Sequence, residues 1–598
     1  MLTKLMALLS RQERNQIFFL LGLILLSACL EALGIASVMP FMAVLANPEV
    51  LQTNHFLARG VDLAASLGIV GNELILLFMG AIFFVLLVFS IGVKCISTYF
   101  QLRVALMLEF SIGKRLVERY LDQTYEWFLN RNSADLGKTV LSEVNTVVYV
   151  AIYPMIRIIA HGILTFLILV LLILADPAIA LFSGVVIGAC YVLIFLKIRR
   201  VLSRYGEERF TTNKKRFSVL SEAFGSIKDV KLNSLENVYS NLFAGPALKY
   251  AQRETQGQVL GQLPRFILEA VAFGGILAVT LYLMTSGDLF ADVLPLLALY
   301  VFAGYRLLPA MQQVYQSGTE LRFAKTTVAA LHEEYTGLKV AEHPIKPDPI
   351  VLRESIKLID VTYRYPKART NSINGLSLTL PAQSVVGIAG PTGSGKTTLV
   401  DIVLGLISPH EGNVVVDGTV ISDTNRKSWQ RLVGYVPQNI YLADDSILAN
   451  IAFGVPLAEI CQESVIKAAR AANLHDFIEE ELAEKYFTKV GERGVRLSGG
   501  QRQRIGIARA LYKAPEVLIL DEGTSALDGF TEKMVMEAIG ALAQTMTIIL
   551  VAHRLNTLRK CQAIFLLEGG SLVEQGSFAE LKYSSKRFKA MLAGDNVD

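Results

Sequence analysis

The sequence predicts an all-α transmembrane domain of six helices followed by an α/β domain built around a phosphate-binding loop. Three observations carry that prediction. Hydrophobic residues make up 52% of the 598-residue chain and charged residues only 18%, with mean hydropathy +0.44. A soluble chain of ordinary composition carries about 25% charged residues. The deficit is uneven, because charged residues are about 16% of the chain before residue 346 and about 22% after it. In the more polar part, a glycine-rich run from Gly390 to Thr397 follows an apolar, strand-like stretch.

Charge and cysteine usage exclude other classes. The net charge of +4, from 57 basic and 53 acidic residues, is too balanced for a nucleic-acid binder, which needs a dense basic patch. Cys29, Cys95, Cys190, Cys461 and Cys561 are scattered, with neither disulfide-framework nor metal-ligand spacing. The basic stretch 1–14 precedes an apolar run of 17–45, far longer than the ~7–15 residues of a signal-peptide core, so an anchor is expected.

A bilayer core of ~30 Å requires about 20 mostly apolar helical residues. Six segments qualify: 17–45, 74–100, 146–175, 177–197, 260–286 and 292–316. Asp176-Pro177 marks a tight hairpin between the third and fourth. Basic residues crowd 101–145 (Arg103, Lys114, Arg115, Arg119, Arg131, Lys138) and 198–259 (Arg199 and Arg200 through Arg253). The loop 46–73 has only Arg59, and 287–291 has none. Positive charge stays inside, so both termini, both long loops and the polar domain are expected in the cytoplasm. Leu57, Val61, Ala64 and Leu67 outline a short amphipathic helix in the first outer loop. The prolines Pro344, Pro347 and Pro349 make a stiff linker. The expected domains are thus 1–335, a 336–350 linker, and 351–598.

The phosphate loop runs between the strand-like Val385–Ala389 and the helical 398–404, the context such a loop requires. Gly390, Gly393, Ser394 and Gly395 would turn backbone N–H groups toward phosphate oxygens, helped by the helix N-terminus at Lys396, Thr397 and Thr398. Lys396 would reach the β- and γ-phosphates, and the Thr397 hydroxyl would ligate Mg²⁺. A second apolar strand, 517–520, ends in Asp521-Glu522, at the strand edge where α/β folds collect ligands. Asp521 would hold Mg²⁺ through water, and Glu522 would polarise the attacking water.

The run Leu497-Ser498-Gly499-Gly500-Gln501 resembles the signature motif of ATP-binding cassette (ABC) proteins, and the remaining cassette motifs match in order. This identifies 346–598 as an α/β P-loop NTPase domain, the ABC cassette. By that resemblance Tyr365 stacks on adenine, Gln438 is the Q-loop residue near the metal, Asp528 belongs to the D-loop, and His553 is the switch histidine. Val490-Gly491-Glu492-Arg493-Gly494 resembles an exporter-type X-loop. Gly523 stands where the pattern usually has Ala. Six spans before one cassette resemble a half-size exporter of the type IV fold, which implies a dimer with ATP held between the phosphate loop of one copy and Ser498 and Gly500 of the other. The intact Glu522 and signature point to a homodimer; a heterodimer with another half stays open. The family places short transmitting helices near Tyr125–Arg131 and Ser226–Leu232.

Ionisable residues within spans mark function. Counted at ~1.5 Å per residue from the outer ends, Arg306 and His161 lie roughly 21 Å deep, and Arg157, Lys94 and Arg265 roughly 27–32 Å deep. Such a layer suits an anionic headgroup, which arginine grips bidentately. Lys94 and Arg157 have snorkelling as an alternative role, Arg265 has Glu269 four residues on, and Glu31 offers a counter-charge. The segment Tyr305-Arg306-Leu307-Leu308-Pro309 resembles PglK-like flippases for lipid-linked oligosaccharides, which implies that Arg306, Arg265 and Lys94 bind a polyprenyl-pyrophosphate glycan. The expectation is an ATP-driven flippase of the bacterial inner membrane; the alternatives are a general lipid, drug or peptide exporter, or a cassette-gated channel or regulator.

Overall fold

The computed structural model describes all residues except 47–65, 67–70, 287–289, 340–348, 524–528, 553 and 596–598. The outer amphipathic helix (but for Ser66), the proline-rich linker, Asp528 and His553 therefore lie outside the described residues. The chain divides into two compact units, residues 1–123 with 130–341, and residues 124–129 with 342–598.

The first unit is helical: α1 (Arg11–Ala36), α2 (Val38–Ala46), α3 (Asn72–Leu121), α4 (Ser133–Ala175), α5 (Pro177–Gly225), α6 (Glu236–Ser286), α7 (Phe290–Phe323) and α8 (Lys325–Gly337). Ser10 starts α1 with a capping box, its hydroxyl accepting from the Glu13 N–H and the Glu13 carboxylate accepting from the Ser10 N–H. Among the described residues, the stretches Arg11–Leu45, Glu73–Leu121 and Ser133–Ala175 are long and apolar enough to cross a bilayer. The segments 177–197, 260–286 and 292–316 each fall within a single long helix, α5, α6 and α7. At 50 residues, α3 runs about 75 Å, more than twice the ~30 Å hydrocarbon core.

Two departures from the sequence pattern have local causes. The first apolar run is broken at Ser37, because Pro40 offers no N–H to the Ala36 carbonyl, and the Ser37 hydroxyl donates to the Gly34 carbonyl at 2.8 Å instead. Within α4 the segments Thr139–Glu143 and Val148–Ile152 are π-helical. The wider turn puts residues five apart on one line, so Lys138 and Glu143 pair at 3.4 Å with both side chains buried.

The second unit contains two sheets. One is antiparallel, in order β2–β1–β4–β5, from Ile373–Pro381, Ser355–Tyr363, Glu411–Val416 and Thr419–Val420. The other has order β10–β9–β3–β8–β7–β6, from Ser571–Gly576, Ala563–Glu568, Val385–Ala389, Thr547–Val551, Val517–Asp521 and Val433–Val436. Of its five pairings four are parallel, and the β9–β10 edge is antiparallel. Every residue of β3, β7 and β8 is buried, which explains why these strands read as unbroken apolar runs rather than alternating ones. Their C-terminal ends carry the phosphate loop and Asp521.

Close approach of α5 to the end of α7 depends on one glycine. A methyl group on Gly206 would lie 2.0 Å from the Phe323 carbonyl oxygen, a backbone atom that cannot swing away. Gly206→Ala is therefore expected to lose at least about 1–3 kcal/mol of stability by overpacking. A thermal melt of the detergent-solubilised protein checks this; an unchanged midpoint contradicts the crossing.

Candidate functional site

The phosphate loop is shaped by glycines that no other residue replaces. Gly390, Gly393 and Gly395 have φ of +154°, +79° and +100°. A Cβ on Gly390 would sit 2.3 Å from the Leu567 carbonyl oxygen, and one on Gly395 2.6 Å from that of Ser372. The loop delivers Lys396 into a buried position at the start of α9 (Lys396–Val403), where its ammonium donates to the carbonyls of Gly390 (2.7 Å) and Pro391 (3.0 Å). Burial pushes its pKa below the ordinary lysine range, while Glu522 and Asp521 pull it back up. Ser394 Oγ is buried and has no hydrogen-bond partner in the protein, Thr397 is exposed, and Thr398 Oγ1 lies 3.3 Å from Tyr365 Oη. A buried cation, an orphaned hydroxyl and a cradle closed to side chains fit a polyphosphate.

Opposite, β7 ends in buried Asp521, to which the Tyr435 hydroxyl is hydrogen-bonded. Glu522 then takes a left-handed φ of +51°, a conformation costing an L-residue roughly 1–2 kcal/mol. Three bonds hold it there. Its N–H donates to the Val551 carbonyl at 3.0 Å, its carbonyl accepts from Gln503 Nε2 at 3.0 Å, and its carboxylate accepts from Gln438 Nε2 at 2.7 Å. With its nitrogen committed, Gln438 has its amide oxygen left as an acceptor, the oxygen chemistry that suits a hard cation such as Mg²⁺. Gly523 packs closely: a Cβ there would meet Leu520 side-chain atoms at 3.1 Å.

Gln503 was not singled out in the sequence. It lies on α10 (Gly499–Tyr512) in line with Gly506, Ile507 and Ala510, all buried. A polar residue inside a helical apolar stripe is the signal that could have found it. At the N-terminus of α10, Ser498 Oγ accepts from the Gln501 N–H at 3.2 Å and Gln501 Oε1 accepts from the Ser498 N–H at 2.8 Å. Both side chains thus close a capping box, with Ser498 exposed and Gly499 and Gly500 half-buried beside it.

In the helical unit, the candidate substrate residues separate. Lys94 of α3 pairs with Glu31 of α1 at 2.9 Å, and Arg306 of α7 approaches the same carboxylate at 3.8 Å. The Glu31 side chain is only 5% exposed. Arg265 has a different partner, Glu269 on its own helix, at 2.8 Å. Arg157 is bonded to Glu320 and, at 3.2 Å, to Gln313.

A phosphate-loop ATPase on the same chain as membrane-length helices defines an ATP-driven membrane transporter. The chain belongs to the ABC transporter family. The family's transmembrane region matches residues 17–282 and its ABC transporter domain residues 373–525. An ATP-dependent lipid A-core flippase of Ralstonia nicotianae is 31% identical over 81% of this chain and 82% of that protein. A β-(1→2)glucan export ATP-binding/permease protein of Rhizobium etli is 34% identical over 69% of this chain and 70% of that one. A leukotoxin translocation ATP-binding protein of Mannheimia haemolytica is 30% identical over 84% and 70%. A bacterial Atm1-family ABC exporter with ATP bound has the same fold, with TM-score 0.78 and 25% identity over 98% of this chain and 99% of that one. The chain is an ABC half-exporter, an ATPase coupled to transport.

Two outcomes follow from this geometry. Gln503→Ala removes the donor that fixes the Glu522 carbonyl, so kcat for ATP should fall about tenfold, for a hydrogen bond of about 1–1.5 kcal/mol, with KM little changed; an ATP titration of initial rates checks the split. Asp401, buried in α9, has its pKa pushed up to about 6 by burial and then by Asp521. A raised carboxyl contributes stability below its unfolded pKa and loses it as pH rises through the folded value. Asp401→Asn should therefore match the parent protein below about pH 4 and gain up to about 3 kcal/mol above pH 6–7, read as a pH-dependent difference in melting midpoint.

Proposed function

We propose that two copies of this chain form a homodimer in a bacterial inner membrane, with six spans each and the cassettes in the cytoplasm, and that ATP clamped between them moves an anionic amphipathic lipid outward. The phosphate loop and Lys396 would bind the β- and γ-phosphates of one ATP, the exposed N-terminus of α10 in the partner would cap its γ-phosphate, and Tyr365 would stack on adenine. Mg²⁺ bound by Thr397, Gln438 and Asp521 would neutralise phosphate charge. Glu522, its carboxylate aimed by Gln438, would accept a proton from the attacking water. Asp528 and His553 would complete the two-subunit site as the family resemblance implies.

The observation that carries the substrate reading is the Lys94–Glu31–Arg306 cluster. Three helices contribute two partly exposed cations around one buried carboxylate, leaving a net positive charge within the apolar helical unit. A phosphate or pyrophosphate headgroup would find paired donors there. Two of the relatives are named as a lipid A-core flippase and a β-(1→2)glucan export protein, which supports a glycan-related cargo. A lipid-linked oligosaccharide is the finer reading, with Arg306 and Lys94 gripping the pyrophosphate; the intrahelical pair of Arg265 gives that residue a smaller part.

In liposomes, polyprenyl pyrophosphate should stimulate ATP hydrolysis and uncharged polyprenol should not. Arg306→Ala should raise the half-stimulating concentration about tenfold or more, the equivalent of one charge-assisted bond. Equal stimulation by both lipids, or an unshifted Arg306→Ala response, removes the anionic-lipid assignment.

A further inference from the structure

Two different neighbours hold α4 at two heights. Below, the neighbour is α5. Asp135 pairs with Lys214 at 2.8 Å, Ser142 Oγ and Glu143 Oε1 accept from Asn213 Nδ2 at 3.1 and 3.5 Å, and Thr146 Oγ1 accepts from Arg209 at 3.5 Å. The buried Lys138–Glu143 pair of the first π-helical turn fixes this face, with the Lys138 ammonium 4.6 Å from the centre of the Phe210 ring. Above, the neighbour is α7. Arg157 bonds to Gln313 and Glu320, and Leu164, Ile168 and Leu172 share an apolar cluster with Leu299, Ala303 and Leu307. Between the two grips lies the second π-helical turn, Val148–Ile152.

That turn holds one residue more than an α-helix would. The Tyr153 N–H bonds to the Val148 carbonyl, five residues back rather than four. Pro154, next in the chain, has no N–H to offer the Val150 carbonyl, so α geometry would leave that acceptor without its helical donor. Val148, Ala151 and Ile152 are fully buried, and no residue of the turn is charged, so nothing like the Lys138–Glu143 pair latches it. Closing the turn to α geometry would rotate the upper half of α4 against the lower by about 100° and shift it by about 1.5 Å along the axis. Spread over a continuous helix, such a rotation would tear the α5 seam or the α7 contacts; confined to this turn, it leaves both seams whole. We propose that Val148–Ile152 is a screw joint, about which the α7-bound half of α4 turns during the transport cycle while the α5-bound half keeps its hold. The inference depends on no particular cargo.

The test uses the full-length protein in nanodiscs. In a Glu522→Gln background that retains ATP, hydrogen exchange at residues 149–153 should be about tenfold or more faster than at 158–168, and adding ATP should change it by about tenfold or more. Exchange at 164–172 of α4 and at 205–212 of α5 should change less than about threefold, since both seams persist. Deleting Val150 removes the surplus residue and leaves both flanking faces in register. The melting midpoint should therefore stay within about 2 °C of the parent's, whereas a deletion inside an ordinary helix would turn one face out of its contacts. In the hydrolysing protein the same deletion should lower kcat for ATP about tenfold or more, with KM little changed, because each turnover requires the joint. Pro154→Ala, which gives the Val150 carbonyl a donor, should slow exchange at 149–153 and lower kcat in the same direction by a smaller factor. Exchange at 149–153 that matches the flanks and ignores ATP overturns the proposal, as does parental kcat in the deletion. A midpoint lowered by more than about 5 °C in the deletion shows that the residue is not surplus and overturns it equally.

Discussion

The chemistry of this chain depends on keeping one ammonium charged inside protein. An unpaired buried lysine loses its proton, and Lys396 is buried at the base of the phosphate loop. Two kinds of group keep it ionised. The Gly390 and Pro391 carbonyls accept its hydrogen bonds, and Asp521 with Glu522 supply opposing charge. The carbonyls reach it only because Gly390 and Gly395 allow the backbone to curl where a Cβ would strike another carbonyl. The carboxylates reach it only because β3 and β7 end on the same side of one parallel sheet, with β8 between them. Fold and site are in this sense a single constraint: strand order sets which charges meet.

The same logic appears in the helical unit, with the opposite balance. Glu31 faces two cations rather than one, so the cluster is left with surplus positive charge. Other ion pairs in that unit are one to one, such as Arg115 with Glu13 at 2.8 Å and Arg209 with Glu254 at 2.6 Å.

How much of this was legible in the sequence follows from how local each feature is. The phosphate loop, the Asp521-Glu522 strand end and the strands β3 and β7 are written in contiguous residues, and they appear where expected. The break at Ser37 was also written locally, in Pro40, but a long apolar run hides it. Gln503 was hidden because its partner, the Glu522 carbonyl, lies across the fold. The choice of Glu31 by Lys94 and Arg306, rather than by Arg265, depends on helix rotation, which hydropathy does not encode; Arg265 had Glu269 one turn away.

The central claim is that a nucleotide is held between two copies, phosphate loop against signature. The most direct measurement mixes two single-cysteine forms in a cysteine-free Glu522→Gln background, Thr392→Cys and Ser498→Cys, both at exposed positions. Oxidation in the presence of ATP should yield a covalent dimer in the mixture and not in either form alone. If the mixture stays monomeric under conditions where ATP is bound, the two-copy site is contradicted.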